Sequence, residues 1–530
     1  MPQDLIRPMT SDQADYLRDE SRLIGQAEWI AFPETEQQLR EILASCRRSG
    51  RPVTIQGART GIAAAAVPAG GVVLSLTRLN RVRGMKQNAD GRYVLCAESG
   101  VILSRLRKQI EDRHFAVSDW DEPSRQIFEQ FRRDRTQIFT PDPTEATASL
   151  GGMVACNASG ARSYRYGPVR RHIQGLRVIL ADGQTLDLQR GREKAAGRTL
   201  NLTTEQGGQL RIDLPTYALP QVKSAAGYYA ADDMDAVDLF IGSDGTLGVV
   251  SQIELVLQPL PDQIWGVTCF FGEEEQAWQF TEQVRAAGET GLLALEYFDR
   301  QALALLARYK AGHPAFARLE LPQRPFGAAI YCELQGERED QLLEAVARLG
   351  RQMEHAGASP EDSWVARTAF DRDQLLFFRH AAPECVNLEI DRNRQREPSL
   401  TKLGTDMSVP NDKLPAVMRL YREDLKASGL PYAIWGHIGD NHVHVNILPR
   451  TAGEYETGKT LYRSWARQIV AWDGSVSAEH GIGKLKAEYL ALMFGEQSLS
   501  EMKRVKNACD PGFLLGRGNL FAPPEGRKTE

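Results

Sequence analysis

The chain has 530 residues, more than one ordinary core holds, so its length predicts about three domains. Hydrophobic residues make up 42% of it and charged residues 25%, which are values of globular proteins and exclude a disordered or fibrous chain. The net charge of −5, from 64 basic and 69 acidic residues, gives no long-range field that would attract nucleic acid. No nucleic-acid partner is therefore expected.

No segment indicates export or a membrane span. The apolar stretches are too short for a spanning helix, and the N-terminal region contains no apolar run of the kind found in signal peptides. We therefore predict a cytoplasmic protein without a transmembrane segment, and peripheral contact with a membrane is left open. The seven cysteines are scattered without a C-x-x-C pair, so redox chemistry would need a bound cofactor rather than a disulfide or an iron–sulfur cluster.

The first predicted element is an amphipathic helix that begins after Thr35 and ends before Gly50. Thr35 has a glutamine three residues after it, as in a capping box, and apolar residues recur at helical spacing from Leu39. A buried strand at 52–55 then runs into a glycine-containing turn at 57–61. This order of helix, strand and glycine loop indicates a mixed α and β architecture.

Further strands and helices divide the chain into two main parts. Strands are predicted at 72–76, 93–97, 176–180 and 249–257, and we assign residues 1–258 to one α+β domain that binds a cofactor. Beyond Pro259, predicted strands at 265–271 and 327–334 alternate with amphipathic helices at 274–287 and 338–356. This alternation predicts a helix-covered sheet as a second domain over 259–500, followed by a C-terminal segment at 501–524 and a disordered tail at 525–530. Charge-rich stretches at 122–135 and 190–205 are expected to be surface insertions.

Four segments of the first part are rich in small residues. They are 56–61, 98–100, 151–160 and 242–248. Glycines allow the backbone to approach a ligand and to direct N–H groups toward phosphate, so the segments together predict a large anionic cofactor. Each could instead be only a turn. No G-x-G-x-x-G fingerprint opens the chain, which disfavours a Rossmann site.

Four of the nine histidines fall between residues 437 and 480. The sequence Gly-Asp-Asn at 439–441 is a turn signal, so His437 would end one strand while His442, His444 and Asn446 share a face of the next. Two imidazoles and a carboxylate form a metal site that keeps positions open for substrate, and Glu479 is the obvious carboxylate. The alternative is that these histidines are ordinary surface or core residues.

Glu479 is followed by His480, and neighbouring residues of a regular strand face opposite ways. Both side chains reach one site only if the chain bends there. Gly481 and Gly483 permit such a bend.

Several motifs resemble the FAD-binding domain of the vanillyl-alcohol oxidase and p-cresol methylhydroxylase superfamily. They are PVTIQGARTG (52–61), AESGV (97–101), PDPTEATASLGGMVACNASG (141–160), RYGPVRRHIQGLRVILADG (165–183) and FIGSDGTLGVV (240–250). The resemblance implies a two-part FAD-binding domain of the p-cresol methylhydroxylase type with an antiparallel-sheet cap domain. The residues it implies in FAD contacts are Gln56, Gly57, Ala58, Arg59, Thr60, Gly61, Pro141, Asp142, Gly151, Gly152, Asn157, Ser159, Gly160, Gly245, Gly248, Val249 and Asn519. Non-covalent FAD is expected because the 56–61 loop has no histidine or cysteine. Ala58, the alanines at 63–66 and Asp244 depart from the family pattern and leave the detailed contacts open.

The motifs GHIGDNHVHVN (436–446) and SAEHGIG (477–483) are similar to those of FAD-linked D-2-hydroxyacid dehydrogenases. This group includes D-lactate dehydrogenase, D-2-hydroxyglutarate dehydrogenase and the flavin subunit of glycolate oxidase. The resemblance implies metal ligands at His437, His444 and Glu479, a substrate contact at Asn446 and a catalytic base at His480. It also implies carboxylate-binding cations at Arg379 and Lys402.

Position 442 and the C-terminal sequence also bear on this resemblance. His442 departs from the asparagine that is more usual in this group, and it is either an extra polar contact or an inert substitution. The sequences at 510–511 and 518–521 look like the family's C-terminal return to the flavin.

The function expected from these resemblances is oxidation of a D-2-hydroxy acid, of the D-lactate, D-2-hydroxyglutarate or glycolate class, to a 2-oxo acid. FAD and a divalent metal would be the cofactors, with zinc expected first and manganese or iron as alternatives. Electrons would leave to an electron-transfer flavoprotein, a cytochrome or a quinone. Two other functions stay open: a metal-independent flavin oxidase of an alcohol or phenol, and a non-catalytic flavoprotein subunit. A homodimer also stays open.

Overall fold

The computed structural model describes residues 5–522, so the tail predicted at 525–530 lies outside the described residues. Within that range no helix is both long and apolar enough to cross a bilayer. The described chain forms a first part built around two sheets, a second part built around one larger sheet, and a C-terminal segment that returns to the first part.

The first part contains thirteen strands and six α-helices. The strands are β1 (Ile6–Pro8), β2 (Trp29–Ala31), β3 (Val53–Gln56), β4 (Val72–Ser75), β5 (Val82–Gln87), β6 (Tyr93–Glu98), β7 (Gln137–Ile138), β8 (Ile173–Ile179), β9 (Thr185–Gln189), β10 (Thr199–Thr203), β11 (Gln209–Asp213), β12 (Val249–Val256) and β13 (Gln258–Pro259). The helices are α1 (Glu36–Ser49), α2 (Leu103–Glu111), α3 (Glu122–Arg133), α4 (Leu150–Ala155), α5 (Ser163–Tyr166) and α6 (Ala236–Phe240).

A small sheet of order β1-β2-β4-β3 is covered by helix α1. The hydroxyl of Thr35 caps the helix by accepting a hydrogen bond from the backbone N–H of Gln38 at 3.2 Å. The helix ends where Gly50 adopts a left-handed φ of 63°, which glycine tolerates best. The apolar stripe that begins at Leu39 is buried against the sheet, so local sequence and packing specify the same helix.

The second sheet of the first part has five antiparallel strands in the order β5-β6-β12-β8-β9. Apolar residues of this sheet and of helix α3 pack in one cluster. Helix α3 comprises most of the charge-rich stretch at 122–135. The charged residues of this helix face outward, while Phe128 and Phe131 are buried. The predicted insertion is therefore an amphipathic helix with a role in the core.

The second part is an antiparallel sheet of eight strands with helices on both faces. The strands are β14 (Gln263–Phe271), β15 (Leu292–Asp299), β16 (Ala328–Gly336), β17 (Ser363–Ala366), β18 (Leu403–Gly404), β19 (Met407–Ser408), β20 (Tyr432–His437) and β21 (His442–Ile447). The helices are α7 (Glu274–Ala287), α8 (Arg300–Gly312), α9 (Glu339–His355), α10 (Ala369–Arg394), α11 (Leu414–Ser428), α12 (Ala452–Ala471) and α13 (Ala487–Cys509), the last broken at Gly495. The strand order is β17-β14-β16-β15-β20-β21-β18, and β19 also pairs with β21.

Alternating residues of β14 show how the two faces of this sheet are covered. Val267 and Cys269 lie in the apolar cluster that includes α7 and α9, whereas Phe270 lies in the cluster that includes α8 and α10. The predicted helix at 274–287 coincides with α7, and the predicted helix at 338–356 coincides with α9 to within one residue at each end.

The C-terminal segment returns to the small sheet of the first part. The backbone of Val53 on β3 donates to the carbonyl of Leu514 at 2.8 Å and accepts from Gly516 at 2.9 Å. Before this contact, the Lys506 ammonium donates to the carbonyls of Thr246 and Leu515 and to the carboxylate of Asp510. Residues from both ends of the described chain thus complete the first part.

Candidate active site

A hairpin positions three of the four histidines noted in the sequence. Strand β20 ends at His437, a short 3-10 turn follows, and β21 begins at His442. His437 pairs directly with His442, and Trp435 pairs with His444. Gly436 lies between them with a φ of 127°, and a Cβ atom there would come within 2.7 Å of the His444 ring. Only glycine leaves room for the imidazole of His444 at this point.

Glu479 and His480 lie on a bent segment rather than on a strand. Gly481 and Gly483 have φ angles of 74° and 51°, as the predicted bend requires. One carboxylate oxygen of Asp244 accepts the backbone N–H groups of Ile482 and Gly483 at 2.9 and 2.8 Å, which holds the bend against the first part of the chain.

The bend and the hairpin bring Glu479 among the histidines. Its Oε1 atom lies 3.3 Å from His437 Nε2 and 3.4 Å from both His444 Nε2 and His480 Nε2. The ligand atoms of His437, His442, His444 and Glu479 all lie within 4.8 Å of one another. Ligand atoms of a tetrahedral site with bonds of about 2.0–2.1 Å are about 3.3–3.4 Å apart, so the donor set fits a divalent metal.

Each predicted histidine of the cluster has its outer ring nitrogen near an acceptor. His437 Nδ1 lies 2.6 Å from Glu296 Oε1, and His444 Nδ1 lies 3.0 Å from the backbone carbonyl of Thr405. Metal-binding histidines show this arrangement, because the outer acceptor fixes the tautomer and leaves the inner nitrogen unprotonated toward the metal. The outer contacts therefore favour a metal site over ordinary core histidines.

His480 is held differently, by Asp406. Its Nδ1 atom lies 3.3 Å from Asp406 Oδ2, and the same carboxylate accepts the backbone N–H groups of Glu479 and His480. Lys486 Nζ adds an ion pair at 2.5 Å. Burial opposes charge on His480, but the Asp406 carboxylate raises the pKa of this imidazole above its usual value. A histidine oriented by a carboxylate in this way has the geometry of a general base.

The second oxygen of Glu479 contacts the first part of the chain. Lys223 Nζ lies 2.8 Å from Glu479 Oε2, and the Ser159 hydroxyl donates to the same atom at 3.1 Å. Burial acts to raise the pKa of Glu479, but Lys223 and His437 hold it well below its usual range. The carboxylate is therefore charged, as a metal ligand must be.

Three residues of this site were not identified from the sequence: Lys223, Glu296 and Asp406. Glu296 lies 141 residues before His437 on a different strand, so no local pattern connects them. Lys223 lies in a loop without a recognisable motif. Burial acts to raise the pKa of Glu296, but the nearby His437 and Arg379 lower it to about 2. The Glu296 carboxylate is therefore charged and lies between two cationic or potentially cationic side chains.

The predicted substrate residues lie at different distances from the cluster. Arg379 on α10 has 10% of its side chain exposed, and its Nε donates to Glu296 Oε2 at 3.1 Å; its two Nη groups make no hydrogen bond to residues 5–522. Asn446 is buried two residues after His444 and donates to the carbonyl of that histidine. Lys402 donates to Asn387, two turns along α10 from Arg379, and does not contact the cluster. The structure thus brings Arg379 and Asn446 to the cluster and leaves Lys402 outside it, in the connection between α10 and β18.

The residues predicted to contact FAD are distributed over segments that meet beside this cluster. Gln56–Gly61 follow β3; Pro141 and Asp142 precede α4; Gly151, Gly152, Asn157, Ser159 and Gly160 lie on and after α4; Gly245, Gly248 and Val249 lead into β12; and Asn519 lies in the C-terminal segment.

Close backbone approaches join these segments. A Cβ atom on Gly57 would lie 2.0 Å from the Ser149 hydroxyl, and one on Gly151 would lie 2.6 Å from Ser99. The side chain of Asn519 donates to the carbonyls of Ala65 and Asp244. The C-terminal segment is thereby joined to the alanines at 63–66 and to the 242–248 segment.

Two observations indicate that these segments offer polar atoms and space to a ligand such as a flavin. The buried Gln56 Oε1 and Ser99 Oγ atoms have no hydrogen-bond partner among the described residues, so polar atoms are available to a ligand. A Cβ atom on Gly61 would meet nothing within 4 Å, which leaves the 56–61 loop open on one side.

Comparisons with protein families match both parts of the chain. Residues 27–127 and 126–189 match the family model described as FAD binding domain, and residues 260–520 match the one described as FAD linked oxidases, C-terminal domain.

Individual relatives extend over nearly the whole chain. It is 26% identical to D-lactate dehydrogenase of Anaerostipes hadrus over 96% of this chain and 92% of that protein. It is 26% identical to D-2-hydroxyglutarate dehydrogenase of Stutzerimonas stutzeri, covering 93% and 90% of the two chains. It is 24% identical to glycolate oxidase subunit GlcD of Bacillus subtilis, covering 93% and 88%.

Among solved structures, alkyldihydroxyacetonephosphate synthase superposes with a TM-score of 0.61 at 13% identity, covering 97% of this chain and 82% of that one. At this identity the likeness concerns the fold alone. Together with the match to the FAD binding domain model, it confirms the predicted fold class, an α+β domain of the p-cresol methylhydroxylase type joined to a helix-covered antiparallel sheet.

Proposed function

The chain belongs to the family of FAD-linked oxidases, as its motifs indicated, and on that premise we propose that it oxidises a small D-2-hydroxy acid with the help of a divalent metal. The observation that carries the metal dependence is the buried cluster of His437, His444 and Glu479 with its outer acceptors. A flavin oxidase of alcohols or phenols has no need of such a cluster, so the cluster favours the hydroxy-acid reaction.

The substrate class is supported by the relatives and by the chemistry of the cluster. Three of the relatives are named for D-lactate, D-2-hydroxyglutarate and glycolate, all of which are 2-hydroxy acids. When bound, FAD supplies a two-electron acceptor and the metal a Lewis acid that lowers the pKa of a hydroxyl group. Zinc is the first expectation for two histidines and one glutamate, with manganese or iron as alternatives.

The catalytic roles proposed for this chain's residues follow from their contacts. His480 Nε2 accepts the proton of the substrate hydroxyl, while Asp406 holds Nδ1 and stabilises the imidazolium that results. Arg379 binds the substrate carboxylate through its two Nη groups, because Glu296 occupies only its Nε. Asn446 supplies a further polar contact beside His444.

The position of Lys402 bears on whether the substrate has one carboxylate or two. Lys402 follows α10 and donates to Asn387, which is eight residues along that helix from Arg379, a rise of roughly 12 Å at 1.5 Å per residue. A second carboxylate would have to extend over that distance to reach it. A compact substrate would therefore be bound by Arg379 alone. A longer dicarboxylate would be bound by both residues only if Lys402 moved toward Arg379.

The experiment that tests the proposal is anaerobic mixing of the purified FAD-loaded protein with D- and L-enantiomers of lactate, 2-hydroxyglutarate and larger 2-hydroxy acids. Bleaching of the flavin absorbance by D-enantiomers is expected, and it should be lost after treatment with a chelator and regained on addition of metal. Preference for L-enantiomers, or bleaching that is indifferent to the chelator, would contradict the proposal. Bleaching by none of the acids would instead support a non-catalytic subunit.

Two further expectations can be measured on the same material. The FAD should be released by acid denaturation, as expected of a flavin that is not covalently attached. Reoxidation of the reduced protein by an electron-transfer flavoprotein, by a cytochrome or by a quinone analogue should identify which of these acceptors it uses.

A further inference from the structure

We propose that His442 is a fourth ligand of the metal, so that this chain binds the ion through three imidazoles and one carboxylate. The inference rests on the proposed metal dependence and goes beyond the set of His437, His444 and Glu479. It concerns a residue that the sequence left as either an extra polar contact or an inert substitution.

The position of His442 on the hairpin places its ring beside the other two. It begins β21 and pairs with His437, the last residue of β20, and it is two residues before His444 on the same face of the strand. Its ring centroid lies 4.5 Å from that of His444 and 5.4 Å from that of His437. Its side chain has no exposed surface, so the imidazole is wholly within the cluster.

The two ring nitrogens of His442 face different surroundings. Nε2 lies 3.0 Å from Asp406 Oδ1, whereas Nδ1 faces the cluster and lies 3.9 Å from Glu479 Oε2. Neither nitrogen has a hydrogen bond of acceptable geometry to any residue in 5–522. An imidazole that is fully buried with an unpaired nitrogen costs free energy unless something else binds that nitrogen.

The surroundings of His442 match those of the two predicted histidine ligands. In His437 and His444, one nitrogen faces an acceptor outside the cluster and the other lies close to Glu479. His442 has the same orientation with looser contacts: Nε2 faces Asp406 without hydrogen-bond geometry, and Nδ1 lies 3.9 Å from the other oxygen of Glu479. An extra polar contact would explain Nε2, but it would leave Nδ1 without a function, whereas a metal ion among the four side chains explains both.

A fourth protein ligand changes which ion suits the site. Four ligands complete a tetrahedral zinc site and leave no position for substrate. A six-coordinate ion keeps two positions, which is the number that the hydroxyl and one carboxylate oxygen of a 2-hydroxy acid would occupy. The inference therefore moves the expected metal from zinc toward manganese, iron or cobalt.

The direct test is X-ray absorption spectroscopy of the metal in the FAD-loaded protein without any substitution. Three imidazoles in the fitted first shell are expected, and two would overturn the inference. Because this measurement uses the unaltered protein, it does not depend on whether a variant folds. A protein that binds no Mn²⁺, Co²⁺ or Zn²⁺ at all would overturn the proposed metal dependence and this inference with it.

The affinity test compares His442→Asn with His172→Asn as a matched control. His172 is buried like His442, but it lies away from the cluster and is hydrogen-bonded to Thr140 and to the carbonyl of Tyr166. Changes to outer contacts of metal ligands cost about 10–100-fold in affinity, so loss of a ligand should weaken Co²⁺ binding by more than about 100-fold. Flavin content and thermal unfolding show that each variant is folded.

The pattern of outcomes separates the possibilities. Weak binding in His442→Asn with unchanged binding in His172→Asn supports the inference. Equal Co²⁺ affinity in the unaltered protein and His442→Asn would show that His442 is not a ligand, while the metal site of the proposed function would stand.

Discussion

Glu296 offers the sharpest test of how the second part of the chain supports the proposed metal site. Its carboxylate bridges two functional groups: Oε1 lies 2.6 Å from His437 Nδ1, and Oε2 accepts from Arg379 Nε at 3.1 Å. Both contacts place an N–H donor against a carboxylate oxygen. Glu296→Gln replaces one of those oxygens with an NH₂ group, at nearly constant volume.

The amide cannot satisfy both neighbours. If its oxygen faces His437, its NH₂ group meets the N–H of Arg379; if its oxygen faces Arg379, its NH₂ group meets Nδ1 of His437 and favours the wrong tautomer for a metal ligand. Loss of such an outer contact typically weakens metal binding by 10–100-fold, which is about 1.4–2.7 kcal/mol. We expect the dissociation constant for Zn²⁺ or Mn²⁺ to rise by that factor.

Glu333→Gln is the matched control. Glu333 lies on the neighbouring strand β16, is as buried as Glu296, and binds Arg162 through two hydrogen bonds of 2.6 and 2.9 Å. It contacts no histidine of the cluster. The substitution removes the same charge from the same sheet, so it should lower thermal stability without changing the affinity for metal.

The assay is a competitive titration of the FAD-loaded proteins with a chromophoric chelator, with flavin absorbance as the check on folding. An unchanged affinity in Glu296→Gln would refute the role given to the outer carboxylate. An equal loss in both variants would also refute it, because the effect would then come from the charge of the sheet rather than from His437.

Three other predictions concern the base, the carboxylate contact and the effect of pH on stability. His480→Ala should retain metal and FAD but lose turnover by about 10²–10⁴-fold, because only proton transfer is removed. Arg379→Lys keeps the charge but not the planar fork, so KM for the hydroxy acid should rise steeply in steady-state assays. Burial raises the pKa of Asp299 to about 8, against hydrogen bonds from the backbone N–H groups of Ile434 and Ala302. Because this carboxyl binds its proton more tightly in the folded state, the folded protein loses stability as the pH rises from about 4 through 8. Asparagine does not titrate, so the melting temperature of Asp299→Asn should rise relative to that of the unaltered protein across that range.

Each of these has an outcome that contradicts it. Metal lost from His480→Ala but retained in Glu479→Gln would mean that ligand and base have been exchanged. An unchanged KM would remove Arg379 from the substrate site. A difference in melting temperature between Asp299→Asn and the unaltered protein that stays constant from pH 4.5 to 8.5 would show that Asp299 does not titrate differently on folding.

Local sequence patterns predicted the elements that local forces determine. Helix α1 followed from its cap at Thr35, its apolar stripe and the glycine at position 50, and the bend after His480 followed from two glycines. The hairpin was also predictable, because a turn signal and a period of two fix which side of β21 carries His444.

The missing parts of the site depend on contacts between distant segments. Glu296, Asp406 and Lys223 reach the cluster from a separate strand, a strand connection and a loop of the first part. Nothing in the residues next to them marks them, because their role is created by the strand order β15-β20-β21 and by the packing of the two parts. His442 was visible in the sequence, but its inward nitrogen and its outer carboxylate became evident only from the geometry.

The pairing of the C-terminal segment with β3 has a consequence for the order in which the protein is made. Lys506 donates a hydrogen bond to the carbonyl of Thr246, 260 positions before it in the chain. Leu514 and Gly516 form backbone hydrogen bonds with Val53. A ribosome adding about 5–20 residues per second needs roughly 13–50 s to cover that interval. Throughout that time the second part can fold on the nascent chain, while strand β3 at the edge of the small sheet lacks its partner from the C-terminal segment. The first part of the molecule is thus the last to be completed, although most of its residues are synthesised first.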